Sequence, residues 1–238
     1  MKIMHRLNGY FTVTELFLWL GSMALIIISF AVFDRENWLT LAASLIGVSS
    51  LILAAKGNPA SQLLMVVFSI LYGIISYSYS YYGEMLTYLG MTMPMSVISF
   101  VSWIRNLNGS GSRPEVNVRS LSGKDIILLI ILTAAVTALF YFVLKFFGAA
   151  NLIPSTISVT TSFAAVFLTF LRSSYFALAY AANDAVLIIL WTLAARENIQ
   201  YISVVICFVM FLANDIYGFM SWLRRKKRQQ DSGALSRR

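Results

Sequence analysis

What this chain of 238 residues lacks narrows its class quickly. It has one cysteine, Cys207, so no disulfide forms within the chain and cysteine usage says nothing of the compartment. A single histidine, His5, excludes the histidine pair of an HExxH zinc protease. No lysine lies near the middle of an apolar stretch, which excludes a retinal Schiff base, and no GxxxxGK[ST] run is present to cradle ATP. Charged residues are scarce, at 12%, and only 10 of them are acidic. With these groups missing, the expectation is a protein that is not an enzyme and holds neither a cofactor nor a metal.

What is present is apolar. The chain is 59% hydrophobic with a mean hydropathy of +0.76, the composition of a protein whose solvent is mostly lipid. Eight stretches reach or approach spanning length: Leu16 to Phe33, Leu39 to Ala55, Ser61 to Ser78, Glu84 to Trp103, Ile126 to Phe147, Pro154 to Leu171, Phe176 to Ala194 and Ile199 to Trp222. The first is read as a helix and not a cleavable leader, because Asp34-Arg35-Glu36 closes it with no small-residue cleavage site. The expected fold is an all-α integral membrane bundle.

Lys and Arg set the orientation. Of the 18 basic residues, all but Arg35, Lys145 and Arg196 fall at the termini or in the even-numbered loops, which predicts that both termini are cytoplasmic. The run Arg224 to Arg228 then reads as contact with anionic headgroups, with no nucleic-acid partner. The polar segment Arg105 to Asp125, containing Asn108-Gly-Ser-Gly-Ser-Arg-Pro114, reads as a flexible cytoplasmic connector.

The last three spans repeat the second, third and fourth. At a spacing of 119 residues Tyr72 meets Trp191, Tyr82 meets Tyr201, Met91 meets Met210, Phe100 meets Phe219, Ser102-Trp103 meets Ser221-Trp222 and Arg105 meets Arg224. Equivalent spans are four apart, so the halves cross in the same direction as parallel repeats. The layout is an N-terminal tail and extra helix (1–38), a three-helix repeat (39–104), the connector (105–125), a linker helix (126–147), a second three-helix repeat (154–222) and a basic tail (223–238). Duplicated bundles of this 3+1+3 kind hold a solute site between their halves near mid-membrane.

Polar residues deep in a span mark such a site, because each is costly in lipid unless it faces a cavity or a partner. Asn183-Asp184 and Asn214-Asp215 should lie at similar depth on adjacent helices. Ala177, Tyr180, Asp184 and Trp191 share one helical face, a carboxylate between aromatic rings that suits a flat cation. Asn214, Tyr217, Gly218 and Ser221 form a second stripe. At a spacing of 119, Asp184 falls opposite Met65 and Asp215 opposite Ser96, so the first half offers other polar candidates, Gln62, Tyr72 and Tyr77. Pro94 falls mid-helix and predicts a kink. Trp19, Trp38, Trp103 and Trp222 read as interfacial anchors.

At these residues the chain resembles the PnuC-type nicotinamide riboside transporters. The similarity lies in Leu71-Tyr72-Gly73, Tyr81-Tyr82-Gly83-Glu84-Met85-Leu86, Pro94-Met95 and Trp103, then in Arg172 with Asp184, and in Asn214-Asp215-Ile216-Tyr217-Gly218 with Trp222. Ala177 and Tyr180 stand where tryptophans are expected. The resemblance implies a SWEET-like fold in a bacterial plasma membrane, facilitated diffusion of a vitamin-sized nucleoside with metabolic trapping, and a homo-oligomer, with a trimer as the candidate state. Asp184 would balance the ring charge, Tyr180 and Trp191 would stack, and Asn183, Asn214 and Gln62 would bond ribose or carboxamide. Thiamine, riboflavin and deoxynucleosides stay open as substrates, as does proton coupling through Asp184 or Asp215. A non-transporting sensor or interaction protein is the alternative from another class.

Overall fold

The computed structural model describes residues 10–78, 81–108, 115–149 and 151–235. Among them, eight helices are long and apolar enough to cross a bilayer. They are α1 (Val13–Phe33), α2 (Trp38–Ala55), α3 (Ala60–Ser78), α4 (Tyr82–Arg105), α5 (Gly123–Phe146), α6 (Leu152–Phe170), α7 (Phe176–Ala195) and α8 (Ile202–Leu235). Local signals set several boundaries. Thr12 with Glu15 forms a capping box that opens α1, and Ser122 with Asp125 forms one for α5.

Two helices differ from their sequence-based reading. The Pro94 break is absorbed by a π-turn over Tyr88–Thr92, closed by the Met93 amide donating to Tyr88 O, and the α-helix resumes at Met93. The last helix runs 34 residues, about 51 Å at 1.5 Å per residue, well beyond about 30 Å of hydrocarbon. Its final turns, with the Arg224 to Arg228 run, therefore stand outside the bilayer.

Packing groups the helices into two triplets. The central α3 touches α2 and α4, the central α7 touches α6 and α8, and the triplets meet along two seams, α2 with α8 and α4 with α6. The α5 helix packs mainly on α6, while α1 lies on α2 and α8. At one end the seams are pinned reciprocally. The Trp103 Nε1 donates to Thr169 O at 2.9 Å across one seam, and the Trp222 Nε1 donates to Ala54 O at 2.8 Å across the other. Ser102 and Ser221 repeat the pattern toward Phe170 O and Ala55 O. The two indoles meet at 5.3 Å and are fully buried, so Trp103 and Trp222 are core pins and not interfacial anchors. Trp38, in contrast, is exposed.

These pairs correct the repeat spacing. Trp103 and Trp222 are 119 residues apart, but their acceptors Ala54 and Thr169 are 115 apart, as are the left-handed residues Gly57 (φ 64°) and Arg172 (φ 55°). The spacing of 115 still holds where α3 and α7 begin, in the bonds from Ser61 N to Asn58 O and Phe176 N to Ser173 O. Because α3 and α7 are 19 and 20 residues long, four extra residues do not fit inside α7 and fall around its end. Asp184 therefore lies opposite Ser69, not Met65. Apolar sequence carries too little information to reveal the insertion.

The connector is anchored where it is described. Leu107–Asn108 pairs antiparallel with Glu115–Val116 as a small β1–β2 ladder. Beyond it, Val116 N donates to Gly57 O, Asn117 N to Asn106 O and Arg119 N to Arg172 O. Val118 N and Val116 O bond to the Gln229 amide of α8, and Glu115 pairs with Arg225 and Arg228. Arg225 is 6% exposed and also donates to Ala55 O, so it is a structural residue and not a headgroup contact. The glycine-rich middle of the connector, His5, Lys2, Arg6, Arg113, Arg237 and Arg238 lie outside the described residues.

Candidate functional site

Asp184 of α7 and Asp215 of α8 face each other within hydrogen-bonding reach, each 4% exposed. Helical spacing explains the meeting: both lie about eight residues from the pinned end of neighbouring, tightly packed helices, so their depths match. Tyr180, one turn before Asp184 on its own face, lies beside both carboxyls and bonds toward Thr169. Tyr88, in the π-turn of α4, is influenced by Asp184 and by Tyr180 from the opposite triplet. No lysine or arginine pairs with either acid among the described residues.

Next to this carboxyl pair lies an aromatic cluster. The Tyr72 ring stacks on Phe68 at 5.5 Å, lies 4.4 Å from Tyr88 and meets Phe208 edge-on at 5.6 Å. The Trp191 Nε1 donates to the Tyr72 hydroxyl at 2.6 Å, and the Trp191 ring meets Tyr81 at 4.9 Å and Tyr201 at 5.6 Å. Trp191 is fully enclosed and Tyr72 is 4% exposed, so the rings close over the centre of the bundle.

The structure therefore brings together Asp184, Tyr180, Trp191 and Tyr72 of the expected residues. The others make their bonds outside this group. Asn183 turns to α6, where its Oδ1 accepts from Thr161 and Ser162 at 2.9 Å. Asn214 donates to Ser22 of α1 at 2.9 Å and to Met210 O, and Tyr217 donates to Glu15 of α1 at 3.1 Å. Gln62 is buried and bonds its neighbour Ser61 at 3.3 Å. Tyr77 is exposed on the outside of α3. Ala177 packs under Gly218, whose added Cβ would lie 3.5 Å from the Ala177 Cβ, so this level of the face serves helix packing.

Two residues enter the site that helical spacing alone did not select, and a third is buried toward one end of the bundle. Asp215 replaces its neighbour Asn214, Tyr88 is rotated inward by the π-turn, and Glu84 is buried at the start of α4. A mid-span position should have favoured Asp215 over Asn214 once the two helices were placed side by side. The π-turn that aims Tyr88 had no signal beyond Pro94.

Residues 37–224 match the family described as nicotinamide mononucleotide transporter. The chain is 25% identical over 222 residues to the nicotinamide riboside transporter PnuC of Neisseria mucosa, covering 92% of this chain and 83% of that one. It is 24% identical over 193 residues to the protein of the same name from Haemophilus influenzae, covering 81% and 82%. The crystal structure of a vitamin B3 transporter PnuC superposes with a TM-score of 0.81 at 24% identity, over 92% of this chain and 94% of that one.

Proposed function

This chain belongs to the nicotinamide mononucleotide transporter family, and we propose that it carries nicotinamide riboside across the membrane by facilitated diffusion. The observation that supports this most is the unpaired Asp184–Asp215 carboxyl pair beside Tyr88 and Tyr180. A pyridinium ring brings the positive charge that this pair lacks, and the tyrosine faces suit its flat cationic surface. The family description names the mononucleotide and the relatives are named for the riboside. The site chemistry favours the riboside, because a phosphate dianion among buried acids with no basic neighbour would be strongly repelled.

Asp184 balances the ring, Tyr180 and Tyr88 hold its faces, and Tyr72 with Trp191 closes the chamber. Thiamine shares the cationic ring and is the second candidate; riboflavin and ordinary deoxynucleosides lack it. In this reading the triplets are the duplicated halves of a 3+1+3 core, α5 is the linker, and both termini are cytoplasmic. Transport proceeds by rocking of one triplet against the other. The apolar outer face of α5 suits lipid or a second copy of the chain, in keeping with a homo-oligomer.

Uptake of labelled nicotinamide riboside into proteoliposomes, with and without a proton gradient and with thiamine, riboflavin and deoxynucleosides as competitors, tests this. Saturable, gradient-independent equilibration is the expected result. Gradient-driven accumulation would replace the facilitator with a proton-coupled carrier, and absence of flux for every solute would remove the transport reading.

A further inference from the structure

Glu84 is a further buried acid, one for which charge balance at Asp184 gives no task. It is the third residue of α4, 1% exposed, and among the described residues the Ser158 hydroxyl of α6 is the one group turned toward its carboxyl. It lies at the end of the bundle opposite the Trp103 and Trp222 pins. A tight fit enforces its burial: a Cβ on the preceding Gly83 would lie 2.6 Å from Leu144, itself fully buried on α5. Burying a carboxyl with no basic partner is among the more expensive arrangements available to a fold. A position with no function would carry glutamine or leucine at lower cost.

The surroundings show what could match it. Tyr88 lies one turn further along the same helix as Glu84, Tyr81 immediately precedes that helix, and Tyr72 of α3 packs on Tyr88. Tyr81 meets Trp191 at 4.9 Å, Trp191 bonds the Tyr72 hydroxyl, and Tyr72 meets Tyr88 at 4.4 Å. Tyr88 also senses Asp184. A continuous path of aromatic rings thus joins two carboxyl stations, with Tyr88 between them.

We infer that Glu84, with the rings of Tyr72, Tyr81 and Trp191, forms a second recognition station for a cationic aromatic ring, distinct from the one at Asp184. This rests on the nicotinamide riboside reading above. A cation moving between two such stations exchanges one carboxylate for the next while its faces stay against π-surfaces, so it is never left unpaired in the dry interior. Two stations of moderate strength also allow release, which a single tight site would slow.

The test compares labelled riboside uptake by wild type, Glu84→Gln and Glu84→Asp in proteoliposomes, together with the thermal midpoint of each purified protein. Glutamine keeps the shape and removes a buried charge that no basic residue balances, so it should raise the thermal midpoint. It should also raise the KM about tenfold, the scale of a lost cation contact in a desolvated site, with maximal rate within about twofold. Aspartate should recover most of the affinity. Stability up with affinity down is a signature that a packing role does not give. An unchanged KM in Glu84→Gln overturns the station, as does a parallel fall of affinity and stability. Failure of the substrate reading is seen separately, as absence of riboside uptake by the wild type, and removes the station with it.

Discussion

Asp184 and Asn214 look alike as sequence, two polar residues at matched depth on neighbouring helices, yet the structure gives them opposite surroundings. Asp184 faces another acid and two tyrosines, whereas Asn214 is tied to Ser22 of α1 and to its own helix. Their substitutions should separate accordingly. Asp184→Asn removes the counter-charge while keeping the shape, so riboside KM should rise by at least about tenfold with the fold intact. Asn214→Ala removes the bond to Ser22 and should lower stability by about 1 kcal/mol, leaving KM within about twofold. Uptake kinetics and thermal melts of the two variants side by side check both halves. The reverse pattern would move the site to the α1 side of α8. Sequence could place both residues at the right depth, but the direction each faces depends on which helix covers it.

At the scale of elements, the apolar runs mark the helices to within a few residues, because length and hydropathy report burial in lipid directly; the exception is the end of α8, which continues past Trp222 to Leu235 as polar helix. Three local features were not legible in them. The π-turn at Tyr88–Thr92 leaves only Pro94 as a trace, the insertion near the end of α7 is hidden among interchangeable apolar residues, and the connector was expected to be loose. Its flank at Glu115 to Arg119 is instead fastened to α2, α4, α8 and the α6–α7 turn by backbone bonds that no composition rule reports. Glu115 is the charged element of that fastening. Burial raises its carboxyl, but the hydrogen bond from Arg228 and the charge of Arg225 outweigh this and hold it below the usual carboxylate value. Its contribution is therefore fully present above the ordinary carboxylate range and is lost as pH falls through the lowered value. A spin label at Gln230→Cys, with Cys207→Ala, should stay immobilised at neutral pH and loosen only in strong acid. Glu115→Gln should loosen it at every pH. A label equally mobile in both proteins at neutral pH would show that the ion pairs do not hold the tail.

For the whole molecule, the reciprocal pins decide which end can open. The triplets touch along two seams, and at one end each seam is closed by a buried indole donating to a backbone carbonyl of the other triplet. Rocking that opens this end must break the Trp103 bond to Thr169, the Trp222 bond to Ala54 and the tilted contact of the two indoles together. At the opposite end, among the described residues, closure consists of the Tyr72, Tyr81 and Trp191 rings near Glu84, with the Trp191 indole bonded to a side-chain hydroxyl and not to a backbone carbonyl. Ser102 and Phe170 lie across the α4/α6 seam, with the Ser102 hydroxyl 3.1 Å from Phe170 O, so cysteines at both positions, with Cys207→Ala, can lock the pinned end shut. The oxidised protein should lose nearly all net riboside uptake and recover it on reduction, while still binding riboside from the other side. Binding retained without transport is the outcome that rigid triplets require, because the ligand reaches the aromatic cluster from the free end but cannot leave past the lock. Transport unaffected by a formed cross-link would mean that the solute leaves by a route that does not separate α4 from α6.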